Sequence, residues 1–200
     1  MEELKASDLQ KEFIEIYNTN IKREGSQKLL EWLQSTDFFT APASTKFHSN
    51  IEGGLCLHSI NAYKRFKKII QDEYGTEYSN VISDESIAII GLLHDVCKAN
   101  FYSMEYRNVK VDGAWVQKPY YAVDEDLPYG HGEKSVYIIN GFIKLTREEA
   151  LAINWHMGGF DARVKGGSFS FSQAYYKYPV SVLFHVADVL TTYLDEVVYN

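Results

Sequence analysis

Apolar positions recur every three to four residues along most of the chain, which is the helical period. Leu9, Phe13, Ile16, Tyr17 and Ile21 share one face of a helix expected over 7–24, capped by Ser7 or Asp8 and ended by Gly25. Leu29, Leu30, Trp32 and Leu33 predict a second helix at about 26–35. The pattern breaks over 37–53, where Pro42, a Ser-Thr pair and Gly53-Gly54 interrupt any periodicity. A long helix follows from about 54 to 74, with Leu57, Ile60, Phe66, Ile69 and Ile70 apolar and a basic face of Lys64, Arg65, Lys67 and Lys68 expected in solvent. Ser83-Asp84-Glu85 caps a strongly apolar helix over 84–97.

The period then changes. Val109-Lys110-Val111, Asp112-Gly113 and Trp115-Val116-Gln117 spell a β-hairpin with an Asp-Gly turn inside a tyrosine-rich insertion at about 100–128. An insertion of that length in a compact domain is expected to be a lid or binding element. Helices resume at 131–144 and, after the capping box Thr146-x-x-Glu149, run to about 157. A loop between Gly158-Gly159 and Gly166-Gly167, a short helix at 171–177 and a last helix at 179–196 beginning at Pro179 complete the chain. The expected fold class is all-α with a small hairpin insertion, organised as one domain over 1–200: N-terminal helices and an approach loop (1–53), then the core (54–196).

Composition narrows the setting. Two hundred residues suffice for one full hydrophobic core, and 46% apolar with 24% charged residues is ordinary for a soluble globular protein. The net charge of −7 argues against a surface that coats nucleic acid. The opening MEELKASDLQ is charged and has no apolar run, so no secretory signal is expected, and no stretch approaches the roughly 20 apolar residues of a membrane span. Cys56 and Cys97 lack zinc-type spacing and are expected as reduced core residues of a cytoplasmic protein.

The chemistry gathers at Gly91-Leu92-Leu93-His94-Asp95-Val96-Cys97-Lys98. An apolar helix there ends in a histidine and an aspartate side by side, and burying that carboxylate is costly unless something neutralises it. A divalent metal would do so, although the dipeptide alone better suits a core imidazole bonded to a helix-end aspartate. The other histidines shift the balance. His58 follows Gly53-Gly54-Leu55, His131 opens a helix, and His156 closes one before Met157-Gly158-Gly159. Asp188 interrupts the apolar run Val182 to Leu194 and needs a partner, most simply a cation. Four of six histidines and two aspartates in such settings point to a shared metal site.

The order His58, His94-Asp95, His131, His156, Asp188 resembles the HD-domain metal-dependent phosphohydrolase superfamily over about 54–196, and the two additional histidines resemble its two-metal branch. The resemblance implies one metal on His58, His94, Asp95 and Asp188, with Asp95 bridging to a second on His131 and His156. It further implies hydrolysis of phosphate esters or anhydrides by a hydroxide held between the cations, with Asp95 and Lys98 as the catalytic residues. Histidine-rich, carboxylate-containing sites suit Fe, Mn or Co, with Ni and Zn as further options. The expected substrate is a small phosphorylated molecule, a nucleotide or dinucleotide. No membrane and no nucleic-acid polymer are expected as partners, and self-association is left open.

Lys98, one turn beyond Asp95, matches a phosphate-contacting lysine of related phosphodiesterases. Lys134, three residues after His131, could bind phosphate or pair with Glu133. The segment Ala41-Pro42-Ala43-Ser44-Thr45-Lys46-Phe47-His48 resembles the approach to the HD domain of bacterial 3′–5′ exoribonucleases, which offers Lys46 and His48 as substrate contacts. Arg163 and Lys165 could reach an anion from the Gly-rich loop, and His185 could support the ligands from behind. The small di-iron HD family that splits diadenosine tetraphosphate has a similar layout without the 100–128 insertion, so its substrate does not transfer. Competing readings are a di-iron oxygenase like myo-inositol oxygenase, an exonuclease on short 3′ ends, and a non-catalytic nucleotide-binding protein.

Overall fold

A computed structural model describes residues 6–45 and 49–196. It is mostly helical, with one two-stranded antiparallel sheet. The helices are α1 (Ala6–Asn20), α2 (Ser26–Ser35), α3 (Gly54–Tyr74), α4 (Asp84–Leu93), α5 (His131–Asn140), α6 (Arg147–Asn154), α7 (Ala162–Lys165), α8 (Ser170–Lys177) and α9 (Val180–Leu190). The strands β1 (Tyr102–Val111) and β2 (Ala114–Val123) lie between α4 and α5. Among the described residues no helix is long and apolar enough to cross a membrane.

Helix boundaries follow the apolar pattern, with four instructive differences. The first helix stops at Asn20, and Gly25 instead precedes α2 in a left-handed conformation. The helix ending in His94 stops at Leu93, and residues 96–98 form a tight 3₁₀ turn, so Asp95 lies at a break and Cys97 lies in that turn. Likewise α6 ends at Asn154, short of His156. The last helix changes pitch at Thr191, where Thr191–Asp195 form a π turn. Periodicity does not register such breaks, because a turn of altered pitch moves the apolar face by only a fraction of a residue.

The helices pack around one hydrophobic cluster that includes Phe13, Leu29, Leu33, Phe38, Phe66, Ile87, Ile89 and Phe184, all fully buried. Phe13, Phe38 and Phe39 meet edge to face with centroids 5.2–5.4 Å apart. One ionic knot joins distant segments. The capping-box residue Glu149 is wholly buried and receives Arg23 through Nη1 at 2.8 Å and Nη2 at 2.9 Å, together with the Ser86 hydroxyl at 2.7 Å. The basic face of α3 is only partly in solvent, because Lys64 pairs with Glu12, Arg65 with Asp195 and Lys67 with Asp84.

Two glycines set how closely the helices bearing the histidines approach. A Cβ on Gly91 of α4 would sit 2.5 Å from Tyr63 Cα of α3, and one on Gly132 of α5 would sit 2.3 Å from the Asn154 carbonyl oxygen of α6. The first contact brings the helix of His58 against that of His94, and the second brings His131 against His156.

The hairpin is much longer than its sequence nucleus. Ten residues on each side pair from Tyr102–Val123 to Val111–Ala114. Asp112 and Gly113 both have positive φ, 49° and 85°, the type I′ turn that the Asp-Gly pair specifies. Its root is tied down: Asp37 and Asn100 exchange backbone-to-side-chain hydrogen bonds of 3.1 and 2.5 Å, and the Tyr102 hydroxyl donates to the Ala43 carbonyl at 3.4 Å. Its outer part stands in solvent, with Tyr106 and Trp115 66% and 72% exposed.

Substituting alanine at Gly91 or Gly132 should cost about 1–3 kcal/mol, because each methyl meets backbone that cannot yield. Gly159, with nothing near its Cβ position, should tolerate alanine within about 0.5 kcal/mol. Chemical denaturation of the three variants tests this, and equal stability for all three would refute the close-approach argument.

Candidate metal centre

His58, His94, Asp95, His131, His156 and Asp188 converge on one place, although they come from α3, α4, α5, α6 and α9 or the turns that follow them. His58 Nε2 lies 3.2 Å from His94 Nε2, 3.2 Å from Asp188 Oδ1 and 3.7 Å from Asp95 Oδ2. His94 Nε2 lies 3.6 Å from Asp95 Oδ2 and 3.8 Å from Asp188 Oδ1. The other oxygen of the same aspartate, Asp95 Oδ1, lies 2.7 Å from His131 Nε2 and 3.5 Å from His156 Nε2. Asp95 therefore turns one oxygen toward each half of the cluster.

Local structure explains why Nε2 points inward. The last carbonyls of a helix lack intrahelical donors. At the end of α4, His94 Nδ1 donates to the Gly91 carbonyl at 3.0 Å, and beyond α6, His156 Nδ1 donates to the Ile153 carbonyl at 2.7 Å. The same three-residue back-bond fixes both tautomers. His58 lies inside α3, where the carbonyls are already used, and its Nδ1 donates instead to the Glu196 carboxylate at 3.2 Å. His131 opens α5, with its Nδ1 3.4 Å from the Cys97 sulfur. Such outward contacts are what orient histidines at metal sites. His156 Nε2 is buried and has no hydrogen-bond partner among the described residues. A bare imidazole lone pair facing carboxylate oxygens is an arrangement of acceptors against acceptors, which a cation resolves. The donor set of imidazole nitrogens and carboxylate oxygens suits a divalent transition metal, so the residues present fit such an ion.

Charge in the metal-free cluster balances. Burial would raise the Asp95 carboxyl, but Lys98, His94 and His131 hold it well below the usual carboxylate range. Burial is likewise outweighed at Asp188 by its bond to His58, and at Glu196 by bonds from His58, Ser49 and Asn61, so both are held low. Burial opposes a charge on His58, yet Asp188 and Glu196 raise it to about 10. Burial opposes one on His131 too, and the neighbouring Cys97 and Asp95 raise it to about 10. Burial pushes His94, which has no such pairing at Nδ1, down to about 3. Three carboxylates thus face two imidazoliums and the Lys98 ammonium.

The other expected contacts divide. Lys98 Nζ lies 2.6 Å from Asp95 Oδ2, so it neutralises the aspartate and is not open to a ligand in this arrangement. Lys134 is buried and pairs with Glu125 at 2.6 Å and with the Phe101 ring, rather than with Glu133. Arg163 is also spent: it binds Asp161 at 2.6 Å, Glu133 at 2.6 Å and Asn154 at 3.0 Å, and it stacks 4.0 Å over Trp155. Carboxylates that the spacing did not relate to these cations account for both pairings. Lys165 is exposed. Lys46 and His48 lie outside the described residues. His185 donates Nδ1 to the His156 carbonyl at 2.6 Å.

Glu196 escaped the sequence reading. Nothing in its local pattern marks it, since the π turn that aims it at His58 is invisible to a helical period. Access is on one side: the His131 side chain is 29% exposed, whereas those of His58, His94 and His156 are 0–1% exposed. One surface depression of about 280 Å³ lies between the hairpin root (Tyr102, Met104, Tyr121) and residues 37–42, and another of about 500 Å³ lies around Trp155 and Arg163. Neither is lined by a residue of the cluster.

Divalent cations entering the two halves of this cluster near pH 7 must displace one proton each, from His58 and from His131. Apparent affinity for Mn²⁺ at each position should therefore climb between about pH 7 and 10, by up to about tenfold per unit, and level off above. Calorimetry in buffers of different ionisation enthalpy counts the protons; release of fewer than one would refute the charge assignment. Without metal the sign reverses. The raised histidines contribute stability that is complete below their unfolded value near 6.5 and is lost as pH rises through about 10, so the metal-free melting temperature should fall across that window.

No family model, no curated protein and no solved structure matches this chain.

Proposed function

We propose that this chain is a metal-dependent phosphohydrolase of the HD-domain type, acting in the cytoplasm on a small phosphorylated substrate, a nucleotide or dinucleotide. The observation that carries the reading is the inward turn of four Nε2 atoms around an aspartate whose two oxygens address different histidine pairs. In this reading His58, His94, Asp188 and Asp95 Oδ2 hold one cation, and His131, His156 and Asp95 Oδ1 hold a second. The bound cations would supply an activated water and neutralise charge developing on the phosphoryl group.

The chain's own residues prepare for that chemistry. Exchanging two imidazolium protons for two dications turns a balanced cluster into a positive one, inside a chain of net charge −7, and so creates a local sink for phosphate. A cation at Asp95 Oδ2 takes over the charge that Lys98 now neutralises, which leaves the Lys98 ammonium for a phosphate oxygen. Glu196 and the Gly91 and Ile153 carbonyls occupy Nδ1 of His58, His94 and His156 and so leave each Nε2 to face a cation. Tyr102, at the hairpin root, is close enough to Asp95 and Lys98 to sense their charge, so the insertion borders the open side and can contact the non-phosphate part of a substrate. The free thiols Cys56 and Cys97 suit a reducing compartment.

Metal stoichiometry of variants tests the assignment. The wild-type chain loaded with Mn or Fe should bind two metals. Asp95→Ala should lose both and lower hydrolysis by several orders of magnitude, and His156→Ala should retain about one. Asp95→Ala with two metals and near-normal turnover would defeat the reading, as would oxygen consumption without phosphate release. Shortening the hairpin around Asp112-Gly113 should leave metal content intact and change the ranking of nucleotide substrates by about tenfold or more; unchanged kinetics on every substrate would exclude the insertion from recognition.

A further inference from the structure

A long two-stranded hairpin standing out from a helical domain is marginal by itself, because an independently stable sheet needs three or more strands or a packed face. The two outer edges of this hairpin are not alike. The pair that flanks a two-residue turn is hydrogen-bonded, and bonded and non-bonded pairs alternate from there. Counting back from Val111–Ala114, the pair Tyr106–Pro119 is non-bonded. Proline fits such a place, because the ladder asks no proton of its nitrogen. The missing N–H therefore falls on the outer edge of β2 and interrupts that edge in its middle.

The edge of β1 has the opposite character. Its register is continuous, with neither bulge nor proline. By the same alternation Met104, Tyr106, Asn108 and Lys110 direct N–H and C=O outward, and among the described residues none of them bonds backbone beyond the hairpin. Residues 104–108 are exposed. Met104, Tyr106, Trp115, Pro119 and Tyr121 share one face of the ribbon, and Met104, Tyr106 and Trp115 are exposed there. Glu105 and Arg107 share the other face with Tyr120, whose hydroxyl donates to Glu105 at 2.6 Å and whose ring centre lies 5.2 Å from the Arg107 guanidinium.

We propose that the outer edge of β1 pairs with the same edge of a second copy of this chain, antiparallel and centred on Tyr106, to give one four-stranded sheet of order β2-β1-β1-β2. The inference goes beyond the catalytic reading and does not depend on it. Charge selects both the occupant and the register. A two-fold axis at Tyr106 sets Glu105 of each copy opposite Arg107 of the other. It also sets Tyr106 opposite Tyr106, and Met104 opposite Asn108, as hydrogen-bonded pairs. Centring on Glu105 or Arg107 would set like charges opposite each other, and centring on Met104 or Asn108 would leave both charges opposite uncharged residues. Strand β1 is thus complementary to itself, which is the condition for an isologous two-fold contact. The axis stands perpendicular to the sheet and keeps Met104, Tyr106 and Trp115 of both copies on one side. The ribbon gains the strands and the continuous apolar face that it lacks alone. An edge ladder buries less than a standard interface, so association falls in the micromolar range.

Sedimentation velocity of the full chain over about 1–300 µM should show a reversible monomer–dimer equilibrium. Glu105→Arg and Arg107→Glu each set like charges at both crossing points, and each should weaken self-association by about tenfold or more. Mixed in equal amounts, the two variants carry opposite charges at both crossing points, and dimers of mixed composition should form with restored affinity. Tyr106→Cys should cross-link across the axis on mild oxidation, whereas Val116→Cys on β2 should not. A wild-type chain that stays monomeric at the top of that range would overturn the second copy as occupant and leave the edge to an extended segment of another protein. A dimer that survives both single substitutions, or single variants that do not pair when mixed, would overturn this ladder and its register.

Discussion

The carboxylate of Asp95 is the constraint on which the rest of the site depends. It is almost wholly buried, and a buried carboxylate is tolerated only when compensating charge surrounds it. The fold supplies that charge from both sides, with His58 and Lys98 near one oxygen and His131 near the other, while the His94 and His156 rings lie within 3.6 Å of the same carboxylate. Five helices have to end, begin or cross near one point for this to happen. Their packing is thus coupled to the electrostatics of a single residue.

What places that residue is a break in a helix. The stop of α4 at Leu93 frees carbonyls for the His94 back-bond and turns Asp95 inward, and the stop of α6 repeats the device for His156. Histidine at a helix end is in this sense self-orienting: the carbonyl three residues earlier takes Nδ1–H and leaves Nε2 for the interior. His58, mid-helix, has no such carbonyl and takes Glu196 from the far end of the chain. Close approach through Gly91 and Gly132 then brings the oriented rings within reach of one another.

The same structure limits which cations remain for a substrate. Lys134 and Arg163 are consumed in joining α5, α6 and the hairpin root to one another. In the proposed reading, contacts to a phosphorylated ligand would come from the metal centre and from Lys98 once its aspartate is neutralised by a cation. The long hairpin is fixed at its root and open at its tip, so only its base has a defined relation to the cluster.

Much was legible in the sequence because it depended on local rules. The helical period located the helices, the Asp-Gly pair specified the type I′ turn, and Thr146-x-x-Glu149 predicted a cap that is present. His58, His94, Asp95, His131, His156 and Asp188 stood out because polar groups at apolar positions require partners. The partners themselves belong to tertiary structure. That Lys134 meets Glu125, that Arg163 is spent on Asp161 and Glu133, and that Glu149 buries the Arg23 guanidinium depend on chain crossings between distant segments. That Glu196 reaches His58 depends on a change of helical pitch. Above all, the division of Asp95 between two histidine pairs, and the place of Cys97 beside one of them, is decided by how α4, α5 and α6 converge. A one-dimensional pattern names residues that need a partner; only packing determines which partner is within 3–4 Å.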